Sequence, residues 1–284
     1  MSNTLRLLMP QWQGGNNPAY SFGAKLLAWL APTSESIPQV EVPIIPYCNM
    51  ELPTEDGVVG RSVLLKQLQS ARQIIEEYHP SKIIVFGGDC LVSQAPFAYL
   101  NEKYNGNLGV LWLDAHPDIS IPQMFYHEHA MVLGNLLGGG DPLFSAEVRV
   151  PLKPERVMYG GVCETTTKET ELINHLGLRM ATPNELKKNS TSIREWIASE
   201  NIEHLAIHLD LDVLDPTQFR SLLFAQPDGT VIDAAHGEMN LSQISRIIQD
   251  VAKWTDIVGL SITEHLPWDA INLHNFLESL PVWE

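Results

Sequence analysis

The sequence predicts an α/β fold in three layers, a mostly parallel sheet with helices on both faces, and three observations carry that expectation. Apolar runs of strand length alternate with helical patterns along the 284 residues. The runs are apolar at successive positions, as in strands buried on both faces rather than one. Acids, a thiol and histidines follow the ends of four of these runs, which is where parallel α/β sheets place their ligands.

The first run, residues 5–9, reads LRLLM and is strand-like. A helical pattern over 60–78 comes next, then a strand over 82–86 whose Ile83, Ile84 and Val85 are β-branched. A helical pattern at 93–104 leads to a strand at 108–113 that carries no charged residue. A helix at 130–137, a strand at 156–159 and a short strand at 178–181 follow. Residues 183–200 read as one helix, 204–211 as a strand, 241–254 as a helix, 257–262 as a strand and 270–280 as a closing helix. Two segments read as excursions, the proline-rich 32–56 and 220–238; long connections in compact domains are more often functional than idle. With no internal repeat and no low-complexity linker, 1–284 reads as a single domain.

Hydrophobic residues make up 44% of the chain and charged residues 18%, enough apolar volume for a sizeable core and too little charge for a disordered chain. The formal charge of −16 disfavours a phosphate-tracking nucleic-acid binder or a protein of anionic membrane surfaces. Cationic ligands or metal ions fit it better. Cys48, Cys90 and Cys163 lie far apart, without the paired spacing of a disulfide scaffold or zinc ribbon, so a reducing cytoplasm is the expected setting. The N-terminal apolar run at 7–10 is too short for a signal peptide, and no stretch approaches the ~20 apolar residues of a membrane span.

The chemistry concentrates at four strand ends. The 82–86 strand runs into Gly87-Gly88-Asp89-Cys90, and 108–113 into Asp114-Ala115-His116-Pro117-Asp118. The 204–211 strand runs into Asp210-Leu211-Asp212 and then Asp215-Pro216, and 257–262 ends in Thr263-Glu264-His265. On an extended chain Asp114, His116 and Asp118 project to one side, as do Asp210 and Asp212. Four crowded carboxylates raise one another's pKa unless cations neutralise them, so a pair of divalent metals is expected. Mixed N/O ligation suits manganese. Each motif also has a plainer reading: Gly-Gly-Asp and Asp-Pro as turns, DAHPD as a helix-capping turn, His129 as a solvated histidine. Asp-Leu-Asp within an apolar strand is harder to explain that way, because a buried carboxylate without a partner is costly.

In order and interval these blocks resemble the ureohydrolase family of arginases, agmatinases and formiminoglutamases. The family pattern is Gly-Gly-Asp-His, Asp-Ala-His-x-Asp, a His before a helix, Ser-x-Asp-x-Asp-x-x-Asp-Pro and a strand-terminal Glu. This chain offers GGDC at 87–90, DAHPD at 114–118, His129, HLDLDVLDP at 208–216 and Glu264, so the likeness runs from about residue 80 to the C-terminus. The resemblance implies an arginase-like α/β/α fold and two manganese ions bridged by hydroxide, hydrolysing a C–N bond of a linear amidine with release of urea or a relative. By motif position Asp114 and Asp210 would bridge the metals, His116 and Asp212 complete one site, and Cys90 and Asp118 complete the other. His129 matches the proton-shuttling histidine and Glu264 the acid that receives a guanidinium. Ser120 would contact a substrate carboxylate. The resemblance also implies a homo-oligomer.

Three departures from the pattern matter. Cys90 stands where the family has a metal-binding His, which leaves open weakly held manganese, a softer metal such as zinc, iron or cobalt, a vacancy, or a buried thiol that binds nothing. His208 replaces a small Ser and, by alternation, shares a face with Asp210 and Asp212, as a partner of the ligands or as core packing. Thr166 falls where amino-acid-specific arginases carry an acid. The expected partner is therefore a small cationic guanidino or formimino compound, with arginine itself not favoured. A catalytically impaired metal-dependent binding or regulatory subunit is the competing function. A single-zinc deacetylase is the third, and it would not require so many carboxylates.

Overall fold

The computed structural model describes residues 3–47 and 51–280; Cys48 lies outside that range. Among the described residues ten strands form: β1 (Thr4–Met9), β2 (Gln39–Glu41), β3 (Thr54–Glu55), β4 (Val58–Val59), β5 (Lys82–Gly87), β6 (Leu108–Leu113), β7 (Val157–Gly160), β8 (Arg179–Ala181), β9 (His204–Asp210) and β10 (Asp256–Thr263). All but the small β3–β4 hairpin join one sheet in the order β2-β1-β5-β10-β9-β6-β7-β8, with every pairing parallel. The four strands that end in acids, a thiol or histidines, β5, β10, β9 and β6, are therefore neighbours at the centre of the sheet.

Period-two alternation assigns the two faces. In β6, Val110 and Trp112 enter one core while Leu111 and Leu113 enter the other. The first core is covered by α2 (Arg61–Tyr78), α3 (Gln94–Lys103), α4 (Val132–Leu136), α5 (Pro142–Ser145) and α6 (Thr167–Leu176), through residues such as Leu64, Phe97, Phe144 and Ile173. The second is covered by α7 (Pro183–Lys188), α8 (Thr191–Ser199) and α9 (Leu241–Val251), through Leu186, Trp196 and Ile247. Helix α1 (Ala19–Leu30) packs Ala24 on Leu8 and Phe86, and α10 (Trp268–Glu278) stacks His274 on its Phe22.

The structure departs from the sequence expectation in several elements. The stretch read as one helix over 183–200 is two, because Asn189 is extended at φ −164° and its side chain accepts from Thr191 N at 2.9 Å. Helices α1 and α6 and the edge strand β2, inside the 32–56 excursion, were not expected. Helix α1 has no side-chain cap to announce it, and α6 buries little of its apolar surface. Both excursions approach the carboxyl edge: Ile45 O accepts from Trp12 Nε1 and Gln13 Nε2 at 3.3 and 2.7 Å, and Phe224 stacks against His116.

The turn after β5 is fixed by close approach. A Cβ on Gly88 would lie 1.7 Å from Gln11 O, so only glycine lets the β5 end meet the segment after β1. Asp89 then accepts from Gln11 Nε2 at 2.9 Å, Gly14 N at 2.8 Å and Leu91 N at 3.1 Å, which secures that segment and caps the short 3-10 turn bearing Cys90. Because the obstructing atom is backbone, Gly88→Ala should lower the unfolding free energy by about 3 kcal/mol, at the upper end of overpacking costs. Urea unfolding monitored by tryptophan fluorescence checks this; a wild-type midpoint would show that the turn can give way.

Candidate metal centre

Each strand end bends its acids inward by a local backbone bond. Asp114 Oδ1 accepts from His116 N at 2.7 Å, and Asp210 Oδ1 accepts from Asp212 N at 2.7 Å. Alternation along an extended chain is thus not what gathers these side chains: both segments leave the strand conformation, and the carboxylate stabilises the turn that brings the next ligand round. Asp118 and Glu264 go further and hold positive φ, 46° and 61°, a strained region for non-glycine residues. Glu264 N donates to Gly88 O at 2.7 Å, which ties the β10 end to the β5 turn.

The structure brings most of the expected site residues together. Cys90 Sγ donates to Asp210 Oδ2 at 2.7 Å and lies 3.5 Å from Glu264 Oε1. His116 Nδ1 sits 2.9 Å from Asp212 Oδ2, and His129 Nδ1 3.0 Å from Glu264 Oε1. Potential ligand atoms of Cys90, Asp114, His208 and Asp210 all lie within 4.8 Å of one another, as do those of Asp114, His116 and Asp212 and those of Asp210, Asp212 and Glu264. Asp118 is buried beside them with Oδ2 unbonded, outside these three groups. Ser120 is not gathered in: its Oγ donates to Glu169 Oε1 at 2.8 Å, on the first turn of α6.

Several contributors were not foreseen from the sequence. Tyr20 OH donates to Glu264 Oε2 at 2.8 Å, and Trp112 Nε1 donates to Asp114 Oδ2 at 3.1 Å. Glu169, three residues beyond Thr166, supplies an acid in the region where Thr166 left none. Tyr20 lies on a helix without a cap signal, and Trp112 reads as core from its strand alone; only Glu169 had a signal, the Thr-x-x-Glu capping box.

Protonation follows from this crowding. Burial, then Asp118, Asp212 and Asp210, push Asp114 well above the usual carboxylate range; burial, then Asp212 and Glu264, do the same to Asp210. Burial lifts Asp118 to about 7 against the pull of His129 and His116. Burial and Asp210 keep the Cys90 thiol protonated. For His116 burial acts downward, but Asp212 outweighs it and holds the ring up at about 10, while His129 is held at about 9 chiefly by Glu264. Burial alone pulls His208 down to about 3. Divalent cations are the natural neutraliser of such a set. The orphaned Asp118 Oδ2 and His208 Nε2 and the mixed O, N and S donors fit them. A concavity of about 390 Å³ lined by Tyr104, Arg156 and His204 lies at the amino end of the sheet and has no such acid group.

Comparison with known proteins identifies the family and the fold. The family model described as the Arginase family matches residues 27–271. The chain is similar to the arginase of Staphylococcus aureus, 28% identical over 142 residues, which is 48% of this chain and 47% of that one; it thus spans about half the length of such curated relatives. Among solved structures, the native arginase of Bacillus caldovelox superposes with a TM-score of 0.80 at 20% identity, covering 99% of this chain and 100% of that one. The formimidoylglutamase of Bacillus subtilis gives 0.69 at 12% identity, covering 94% and 80%. At these identities the two structures establish the fold.

Loading the protein with a divalent cation at pH 7 should release protons, on the order of one or more per cation, because groups with raised pKa must give them up to ligate. Affinity should rise between about pH 6 and 8, as Asp118, protonated below about 7, is freed. Calorimetric titration in two buffers of different ionisation enthalpy measures both. Binding without proton release would contradict the protonated cluster.

Proposed function

The chain belongs to the arginase family, and on that premise we propose that it hydrolyses a C–N bond of a small cationic guanidino or formimino compound, releasing urea or a urea-like product. The observation that carries this reading is the contact between His129 and Glu264 at 3.0 Å, directly beside the acid groups. It sets a group able to receive a planar cation next to a group able to deliver a proton.

The ligands would be Asp114 and Asp210 toward both ions, His116 and Asp212 toward one, and Cys90 and Asp118 toward the other. When bound, two divalent cations, manganese or a softer pair, supply a nucleophile at neutral pH by lowering the pKa of water. Glu264, aimed by Tyr20 and by its own left-handed backbone, can accept two parallel hydrogen bonds from a guanidinium. A cation seated there competes with His129 for the same carboxylate and so removes the main support of its high pKa. His129 then becomes a better acid when substrate is present, and gives its proton to the departing amine. Phe224, from the 220–238 excursion, stacks its ring against that of His116 beside the acids.

Glu169 supports a substrate other than arginine. Its carboxylate already accepts from Ser120 Oγ, Thr166 N and Thr166 Oγ1 at 2.8, 2.8 and 2.9 Å. An α-amino group would have to displace those donors. The second reading, a metal-dependent binding or regulatory subunit with impaired catalysis, draws its support from Cys90, whose buried thiol is a poor manganese ligand until it is deprotonated.

Release of urea or ammonia from arginine, agmatine, guanidinobutyrate and formiminoglutamate, tested with manganese, zinc and cobalt, separates the two readings. Turnover of at least one substrate is expected; metal binding with no turnover of any would favour the regulatory reading. In the active protein, His129→Ala should lower kcat by roughly 10²-fold with metal content unchanged. An unaltered kcat would remove His129 from the chemistry.

A further inference from the structure

His208 is a buried imidazole close to this edge that the proposed reaction does not use. It lies mid-sheet on β9, in a row that runs Val85, Ser261, His208, Trp112 and Tyr159 across five parallel strands. It is fully buried, and its Nε2 has no hydrogen-bond partner. This nitrogen lies 3.6 Å from Asp114 Oδ2, beyond hydrogen-bond range. A histidine kept only for packing would have little reason to turn an unsatisfied nitrogen into a group of acids.

The other ring nitrogen explains the orientation. Ser93 Oγ donates to Ser261 Oγ at 2.8 Å, which leaves its oxygen to accept Nδ1–H of His208, also at 2.8 Å. The proton is thereby fixed on Nδ1 and the lone pair on Nε2. This is the arrangement of a metal-binding histidine, which as a rule donates its second N–H to a protein acceptor. Trp112 holds the ring plane by stacking at 3.7 Å and 13°, and its Nε1 donates to Asp114 Oδ2, so one indole positions both the imidazole and the carboxylate.

We propose that His208 Nε2 is a metal ligand, and that at the site given above to Cys90 and Asp118 this chain adds it to Cys90, Asp114 and Asp210. The four donors are already within 4.8 Å of one another. The imidazole missing from the turn after β5 is thus returned from β9, two strands across the sheet, while a thiol takes the vacated position. Sulfur, nitrogen and two carboxylates make a softer set than carboxylates and imidazole alone, so this site selects zinc or cobalt over manganese. The proposal rests on the metal reading of the site and not on catalysis.

Cobalt(II) tests it by absorbance and stoichiometry, with no assay of turnover. The wild type should bind the ion with a sulfur-to-cobalt charge-transfer band in the near ultraviolet. Cys90→Ser should lose that band. His208→Asn replaces the Nδ1–H donor to Ser93 and deletes Nε2. It should weaken cobalt at this site by more than about 100-fold, beyond the 10–100-fold typical of removing a ligand's hydrogen-bond partner. Folded His208→Asn protein with wild-type affinity and spectrum would overturn the assignment. Wild type that binds no divalent ion would overturn the metal reading with it, and the two failures are distinguishable. Should His208→Asn not fold, X-ray absorption of zinc-loaded wild type decides. One sulfur at about 2.3 Å with two imidazoles per two zincs supports the set, and a single imidazole rejects it.

Discussion

Five carboxylates, those of Asp114, Asp118, Asp210, Asp212 and Glu264, are each at most 6% exposed at one edge of a single sheet. Moving even one such ion out of water costs several kcal/mol, and here each faces others of the same sign. Protons can relieve part of that repulsion, and the imidazolium of His116 relieves another part at Asp212. Both remedies fail as soon as the groups must ionise together. Divalent cations among the acids would relieve the repulsion with all of them ionised, and the rest of the structure gathers these acids at that edge.

The scaffold does this with backbone more than with side chains. Parallel pairing of β5, β10, β9 and β6 puts four carboxyl ends side by side. Turns closed by the carboxylates of Asp114 and Asp210 then present the next ligand, and left-handed residues at Asp118 and Glu264 redirect the chain where a regular turn would carry the acid outward. Gly88 admits the segment after β1, which carries Gly14 and Gly15 to the site and leads into the helix bearing Tyr20. Behind this edge, Trp112, His208, Ser93 and Ser261 form a polar seam within the core.

Much of this was legible in the sequence because the chemistry interrupts apolar strands. Acids at Asp210 and Asp212, at the end of the 204–211 run, and DAHPD directly after a chargeless strand, stand out against a pattern whose physical logic they break. The family membership followed from those interruptions and their order, and the parallel sheet from the alternation of apolar runs with helical patterns. What stayed hidden was set by three-dimensional contact. Tyr20 reaches Glu264 across 244 positions of sequence, Ser120 finds Glu169 on a helix that buries too little to show its period, and the tautomer of His208 depends on two serines from other elements. Alternation predicted the right neighbours for Asp114 and Asp210 for a reason the structure replaces, since the chain leaves the strand conformation after Leu113 and Asp210, and turns bring His116 and Asp212 round.

The most direct test of the account is a count of metal. Wild-type protein, stripped and reloaded with manganese, zinc or cobalt, should retain about two divalent ions per chain by mass spectrometry. Asp114→Asn and Asp210→Asn, each assigned to both ions, should retain almost none while keeping the wild-type circular dichroism spectrum. Metal content unchanged in either variant, or a wild type that holds no metal, would contradict the claim that these buried acids exist to bind cations.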